Sequence, residues 1–171
     1  MCEKDLKTLA ADYAIENFRN GLNCSEAVYE ALIRSGALKM PKESVAMTIG
    51  FGGGIGMSGY TCGALSAAII ACGCLYGRPD PWGIEADERM KEIQDKYYRR
   101  YNNLAYDFAQ ANGSALCNEI CSKYGEFHDK ERRKNCLKIV GRTAALTVDY
   151  LNMSQEEAFK LPYHANIANR E

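Results

Sequence analysis

Between Leu6 and Phe18, apolar side chains fall at Leu6, Leu9, Ala10, Tyr13, Ala14 and Phe18. That spacing marks one face of a helix, and Gly21 suits its end. A second face follows at once, at Ala27, Val28, Ala31 and Leu32. Asn23 can cap this helix, and Glu26 three residues later completes a capping-box signature. Cys24 then takes the first helical position, and Gly36 stops the element. Pro41 suits the first turn of a third, shorter helix that runs to about Ile49. Beyond it the pattern changes. Gly52, Gly53, Gly54, Gly56 and Gly59 predict a loop with positive φ values and close backbone approach. Thr61 is a candidate N-cap, with Cys62 as the first helical residue and Gly77 after the last apolar one. Leu65 to Tyr76 carries no charge, which predicts a helix buried all round.

Arg78-Pro79-Asp80-Pro81 is a turn that no helix continues through. Met90, Ile93, Tyr97, Tyr101, Leu104 and Phe108 then predict one long amphipathic helix from about Ile84 to Ala111. Glu88, Lys91, Glu92, Arg99 and Arg100 read as its solvated face. The tyrosine stripe reads as core, or as an interface between copies of the chain in a homo-oligomer. Gly113 ends this helix and Ser114 can cap the next, with Cys117 third in line, Cys121 one turn on, and Gly125 at the close. His128 to Lys134 is a charged connection. Asn135 can cap the last main helix, with Cys136 first and Leu137, Val140, Ala144, Val148 and Leu151 on its apolar face; a start near Asp129 would instead leave Cys136 mid-helix. Ser154 and Glu157 form another capping box for a short helix, and the tail from about residue 162 reads as a flexible end or as a segment that docks on a partner subunit. No stretch alternates with period two. The reading is all-α: a single helical domain over residues 1–171, a bundle of about six or seven helices around Ala64–Tyr76.

Net charge is −1 over 171 residues, so nothing electrostatic points to nucleic acid or an anionic membrane. The longest apolar segment is too short for membrane insertion, and the N-terminal residues lack a signal-peptide core. The expectation is a soluble cytoplasmic protein. In a reducing compartment the eight cysteines do not form a disulfide scaffold.

Cys24, Cys62, Cys117 and Cys136 share one feature: each falls in the first turn of a predicted helix. Helix N-termini that converge offer free amides and positive potential, which favours thiolates and a thiolate-ligated metal or cluster. Cys62 would be the low-pKa thiol of the set. Cys72 lies about 15 Å further along the helix of Cys62 and cannot share its site. Cys72 and Cys74 point to different sides of that helix, and both read as core. Cys121 shares a face with Cys117 and is a plausible neighbour. Cys2 is terminal and free.

Asn23-Cys24, the glycine loop running into Cys62-Gly63-Ala64, Gly113-Ser114 before Cys117, and then Cys136 resemble the C_GCAxxG_C_C family of redox-active proteins. The resemblance covers about Gly21 to Leu151. Ala67 stands where the family's CGAxxG motif has its last glycine, a change that loosens close approach there and leaves the thiols untouched. The resemblance implies a redox or metal role for Cys24, Cys62, Cys117 and Cys136, and no substrate.

Other signals fall away. Gly54-x-Gly56-x-x-Gly59 matches the dinucleotide fingerprint in letters, but no βαβ unit surrounds it. There is no His-Glu-x-x-His, no Cys-x-x-Cys, and no Glu-x-x-His pair for a di-iron site. Nothing places His128 or His164 near Cys62. Three readings remain. The first is a four-cysteine thiolate site at Cys24, Cys62, Cys117 and Cys136 that holds zinc or an iron–sulfur cluster for electron transfer with a redox partner. The second is dithiol–disulfide chemistry by the same residues, an oxidoreductase or carrier led by Cys62. The third is a non-catalytic helical interaction module with structural cysteines.

Overall fold

The computed structural model describes residues 5–165 and Ile167; Cys2 and the end of the tail lie outside the described residues. Helix α1 spans Leu6–Arg19, α2 Cys24–Arg34 and α3 Gly63–Tyr76. Then come α4 (Ala86–Glu92), α5 (Tyr98–Asn112), α6 (Cys117–Cys121), α7 (Lys130–Asn152) and α8 (Gln155–Phe159). The described residues contain no strand, only one isolated β-bridge. The fold is all-α.

The first two helices start and stop where their local chemistry dictates. Asp5 caps α1 through the Thr8 amide. Asn23 and Glu26 close a capping box on α2, and Ser154 and Glu157 close another on α8. Helix α1 lies along both α7 and α2, while α2 and α7 flank α3. Small residues permit the α1–α7 approach: Ala10, Ala14 and Ala144 are fully buried. A Cβ on Gly141 would stand only 2.8 Å from the Cδ1 of Ile15. Residues 63–68 of α3 are buried on every side. The burial predicted for the whole helix stops short of its end, where Leu75 is 43% exposed.

Three elements depart from the sequence reading. The short helix after Pro41 is a 3₁₀ helix, Lys42–Phe51. Its β-branched residues and Gly50 are weak α-formers. The Thr48 hydroxyl donates to the Val45 carbonyl three residues back, a spacing that suits 3₁₀ winding. The long helix predicted from Ile84 begins at Ala86, and a π-helical turn at Ile93–Tyr97 interrupts it between α4 and α5. Its apolar stripe is buried at Leu104 and Phe108, while Met90 is exposed.

The third departure is Arg100, which the sequence reading put on a solvated face. It is 2% exposed. Its guanidinium donates to the carbonyls of Tyr150, Met153 and Ser154 and lies 3.8 Å from the centre of the Tyr76 ring. A helix C-terminus leaves carbonyls without amide partners and carries partial negative charge. Arg100 satisfies both needs at the end of α7, and those contacts offset the cost of burying it. Arg100→Ala is expected to lower the free energy of unfolding by about 3 kcal/mol, because charged hydrogen bonds are lost and buried carbonyls are orphaned. Urea unfolding measures this, and an unchanged midpoint would refute the role.

A cysteine-lined cavity as candidate functional site

The glycine loop is a short left-handed coil. Gly53, Gly54, Ile55, Gly56 and Met57 have φ between 56° and 74°. Left-handed winding costs a residue with a Cβ about 1–2 kcal/mol, so only a glycine-dense sequence sustains such a run. The coil closes on itself through bonds such as Gly56 N–H to Gly50 O (2.8 Å) and Tyr60 N–H to Gly54 O (3.0 Å). It delivers the chain to Thr61, which pairs antiparallel with Leu116. The Cys62 amide donates to Ala115 O at 2.9 Å, and the Cys117 amide donates to Tyr60 O at 2.7 Å. Two cysteine-bearing segments are thereby clamped side by side.

The third segment is anchored from below. Asn23, the cap of α2, donates through its side-chain amide to Ile49 O at 3.0 Å. The Ser25 hydroxyl donates to Thr48 O at 2.8 Å. The start of α2, and Cys24 with it, is thus fixed to the 3₁₀ helix. Gly63 decides how close Cys24 comes. A Cβ on Gly63 would stand 2.7 Å from the Cys24 sulfur and 2.6 Å from Phe51 O. The glycine that follows Cys62 makes room for the neighbouring thiol. Gly54 does the same for Cys117, whose Cβ would be 2.7 Å from a Cβ placed there.

Cys24, Cys62, Cys117, Cys121 and Cys136 all line one cavity of about 330 Å³. Phe18, Leu22, Ile120, Phe127, Ile139 and Val140 supply its apolar wall; Arg132 and Arg133 bring positive charge to it, and His128 also lines it. Cys62 and Cys117 are buried, and Cys24, Cys121 and Cys136 are half-buried. Cys72 and Cys74 lie away from the cavity. Cys72 is buried, while Cys74 is half-buried and shares a hydrogen bond with the Tyr29 hydroxyl at 3.3 Å.

The helix starts differ from those the sequence suggested. Cys24 is the first residue of α2. Cys62 is itself the N-cap of α3, so the helix starts one residue later than read from Thr61. Cys117 is the first residue of α6, not the third, because Ser114 accepts the Leu116 amide and shapes the turn before the helix. Cys136 lies inside α7: Asp129 caps that helix through the Arg132 amide, so the charged connection is its first turns. It is therefore three helix starts that meet at the cavity, with Cys136 joining them from a helix side. His128, which the sequence could not place, stands at the same cavity, whereas His164 stacks on Tyr106.

The electrostatics also correct the sequence reading, which expected helix dipoles to favour thiolates. Burial pushes the Cys62 thiol far above its ordinary range; Cys24 and Cys117 add to this, and the amides of Ala64 and Leu65 only partly oppose it. Burial, then Cys121 and Cys24, push Cys117 up to about 11. Burial, then Cys121, push Cys136 up to about 12, against the pull of Arg132. Desolvation outweighs dipoles here. Much of the cavity wall is apolar, and each sulfur penalises charge on its neighbours. These thiols are therefore protonated at neutral pH unless a cation joins them.

Soft thiol donors suit zinc or an iron–sulfur centre in kind, and five meet the usual number of four. As the side chains stand, no group of three or more His, Cys, Asp or Glu among the described residues converges to hold a metal ion. Ligation therefore requires the sulfurs to turn inward.

An all-α domain with a cysteine-lined cavity at its helix starts is the class that this fold defines. Residues 22–150 match the family described as "Putative redox-active protein (C_GCAxxG_C_C)". The chain belongs to that family. A protein from Archaeoglobus fulgidus, described as uncharacterized, is 28% identical over 138 residues, covering 81% of this chain and 90% of that protein. No solved structure matches the chain. No helix among the described residues is long and apolar enough to cross a membrane.

Two outcomes are expected. Gly63→Ala forces Cys24 or the Phe51 carbonyl to move, at a cost of about 1–3 kcal/mol; urea unfolding should show that loss, and wild-type stability would refute the packing role. The second concerns pH. A thiol raised in the fold above its unfolded value of 9.0 contributes stability that is complete below that pH. This contribution is lost as pH climbs toward about 11 for Cys117 and about 12 for Cys136, because the unfolded chain ionises first. Metal-free protein should therefore lose stability between about pH 9 and 12, and Cys117→Ser, Cys136→Ser protein should lose less.

Proposed function

We propose that this chain is a redox protein whose cysteine cavity holds a thiolate-ligated metal centre for electron transfer, an iron–sulfur cluster in preference to zinc. The observation that supports this reading is the sharing of one small, largely apolar cavity by Cys24, Cys62, Cys117, Cys121 and Cys136. A dithiol enzyme needs two sulfurs, and this cavity offers more than twice that number. Buried thiols that raise one another's pKa gain most from a cation that replaces their protons together. Redox work favours iron–sulfur, since zinc does not change oxidation state. Cys24, Cys62, Cys117 and Cys136 are the proposed ligands, and Cys121 is a neighbour able to substitute. A reducing cytoplasm suits such a site, because all seven described cysteines are free thiols. An electron-transfer partner completes the function.

A second reading has its own support. Cys117 and Cys121 stand one turn apart in α6 and line the same cavity, as neighbouring thiols that cycle through a disulfide would. Anaerobic purification and reconstitution with iron and sulfide separates the two. The cluster reading expects a coloured protein with stoichiometric iron and sulfide. Cys62→Ser should abolish both while the helical circular dichroism stays intact. A colourless, metal-free protein with a reversible Cys117–Cys121 disulfide would overturn it in favour of the dithiol reading.

A further inference from the structure

The glycine coil has an outer side as well as the side that walls the cavity. Met47, Ile49, Ile55, Met57, Tyr60 and Leu116 are between 38% and 65% exposed. The backbone brings these residues together. Gly56, between Ile55 and Met57, donates to Gly50 O, next to Ile49. Thr61 pairs with Leu116, and Tyr60 O accepts the Cys117 amide, so Tyr60 and Leu116 are neighbours across that bridge. The six side chains present about 600 Å² of accessible surface, at the upper end of the largest patch on a typical monomer. Each partner buries roughly 800 Å² in a standard interface, and the exposed backbone at Gly50, Gly56 and Ser58 adds to what the side chains offer.

We propose that this surface is the interface of a two-fold dimer, with a second copy of this chain as its occupant. An isologous interface sets a patch against itself, so any charge near the axis would meet its own like. Between Glu43 and Arg78 the chain carries no charged side chain. Homodimer interfaces are the more apolar class, and Met and Tyr are enriched in them. A transient redox partner is instead steered by charge, which this surface lacks. Backbone strain points the same way. Ile55 and Met57 stand at φ of 65° and 68°, where a residue with a Cβ is strained and a β-branched one is an outlier. Glycine would sit there freely, as it does at Gly53, Gly54 and Gly56. In one chain both side chains are exposed, and burial against a second copy offsets the strain of keeping them. Gly53 of the same coil lines the cysteine cavity, so pairing backs the wall of that cavity. The inference holds whichever chemistry the cysteines perform.

Sedimentation equilibrium of the reduced full-length chain tests it. The wild type is expected at twice the chain mass of 19.0 kDa at micromolar concentration. Asparagine tolerates positive φ, so Ile55→Asn with Met57→Asn removes apolar surface without added backbone strain. That double variant, and Tyr60→Ser, should each raise the dimer dissociation constant by about tenfold or more, with unchanged helical circular dichroism. Trp82 is also highly exposed, but it follows the far end of α3, about 20 Å from the coil; Trp82→Ser should leave the dimer intact. Hydroxyl-radical footprinting of the wild type gives a readout that needs no variant. Met47 and Met57 should gain protection as concentration rises, while Met90, 56% exposed on α4, should not. A wild-type monomer, its patch left free for another protein or a membrane, would overturn the inference. So would Met47 and Met57 that stay as reactive as Met90, or a dimer lost in Trp82→Ser and kept in the coil variants.

Discussion

Thiols gathered on one largely apolar cavity cannot all be charged, and most of this molecule's distinctive features follow from that constraint. Burial raises Cys62, Cys117 and Cys136, and each sulfur that ionises raises the cost for the next. The penalty is too large for helix dipoles to cancel, since each is worth about 0.3–1 kcal/mol at an exposed helix end. A soft cation removes the conflict by taking the place of several protons. Oxidation in pairs removes it as well. Either way, five cysteines gathered on one cavity raise the cost of one another's charge rather than add to stability. As core fillers they would pack as well dispersed, as Cys72 is within α3.

The fold keeps these sulfurs together with backbone geometry. A left-handed coil, available only to a glycine-dense segment, feeds the chain into the Thr61–Leu116 bridge. That bridge sets Cys62 beside Cys117. The capping box on α2, tied to the 3₁₀ helix by Asn23 and Ser25, sets Cys24. Gly63 then admits the Cys24 sulfur against the start of α3. Helix α7 closes the cavity and contributes Cys136 and Arg132 from one face. Behind the site, small-residue packing between α1 and α7 and the burial of Arg100 at the end of α7 hold the bundle that carries these segments.

Much of this was legible in the chain because it is local. Capping boxes at Asn23 and Ser154 need only residues three apart, and the glycine loop announces its positive φ values by composition. The uncharged run in α3 marks the centre of the bundle. What the sequence hid was long-range. Arg100 looks like a surface charge because its partners are carbonyls at the end of a helix some fifty residues away. The start of α7 was ambiguous because Asp129 and Asn135 are both good caps, and a charged first turn resembles a loop. That ambiguity concealed Arg132 and its alignment with Cys136. The thiol electrostatics were misread for a related reason: dipoles can be inferred from helix starts, whereas desolvation depends on which apolar side chains close the cavity.

The central claim is that Cys24, Cys62, Cys117 and Cys136 act as one site. Thiol footprinting by mass spectrometry, before and after anaerobic reconstitution with iron and sulfide, tests it most directly. The expected result is that these four lose reactivity toward a small alkylating reagent together, and in proportion to bound iron, while Cys74 keeps its reactivity. Protection of a single cysteine, or four reactivities that vary independently of iron, would contradict the shared site.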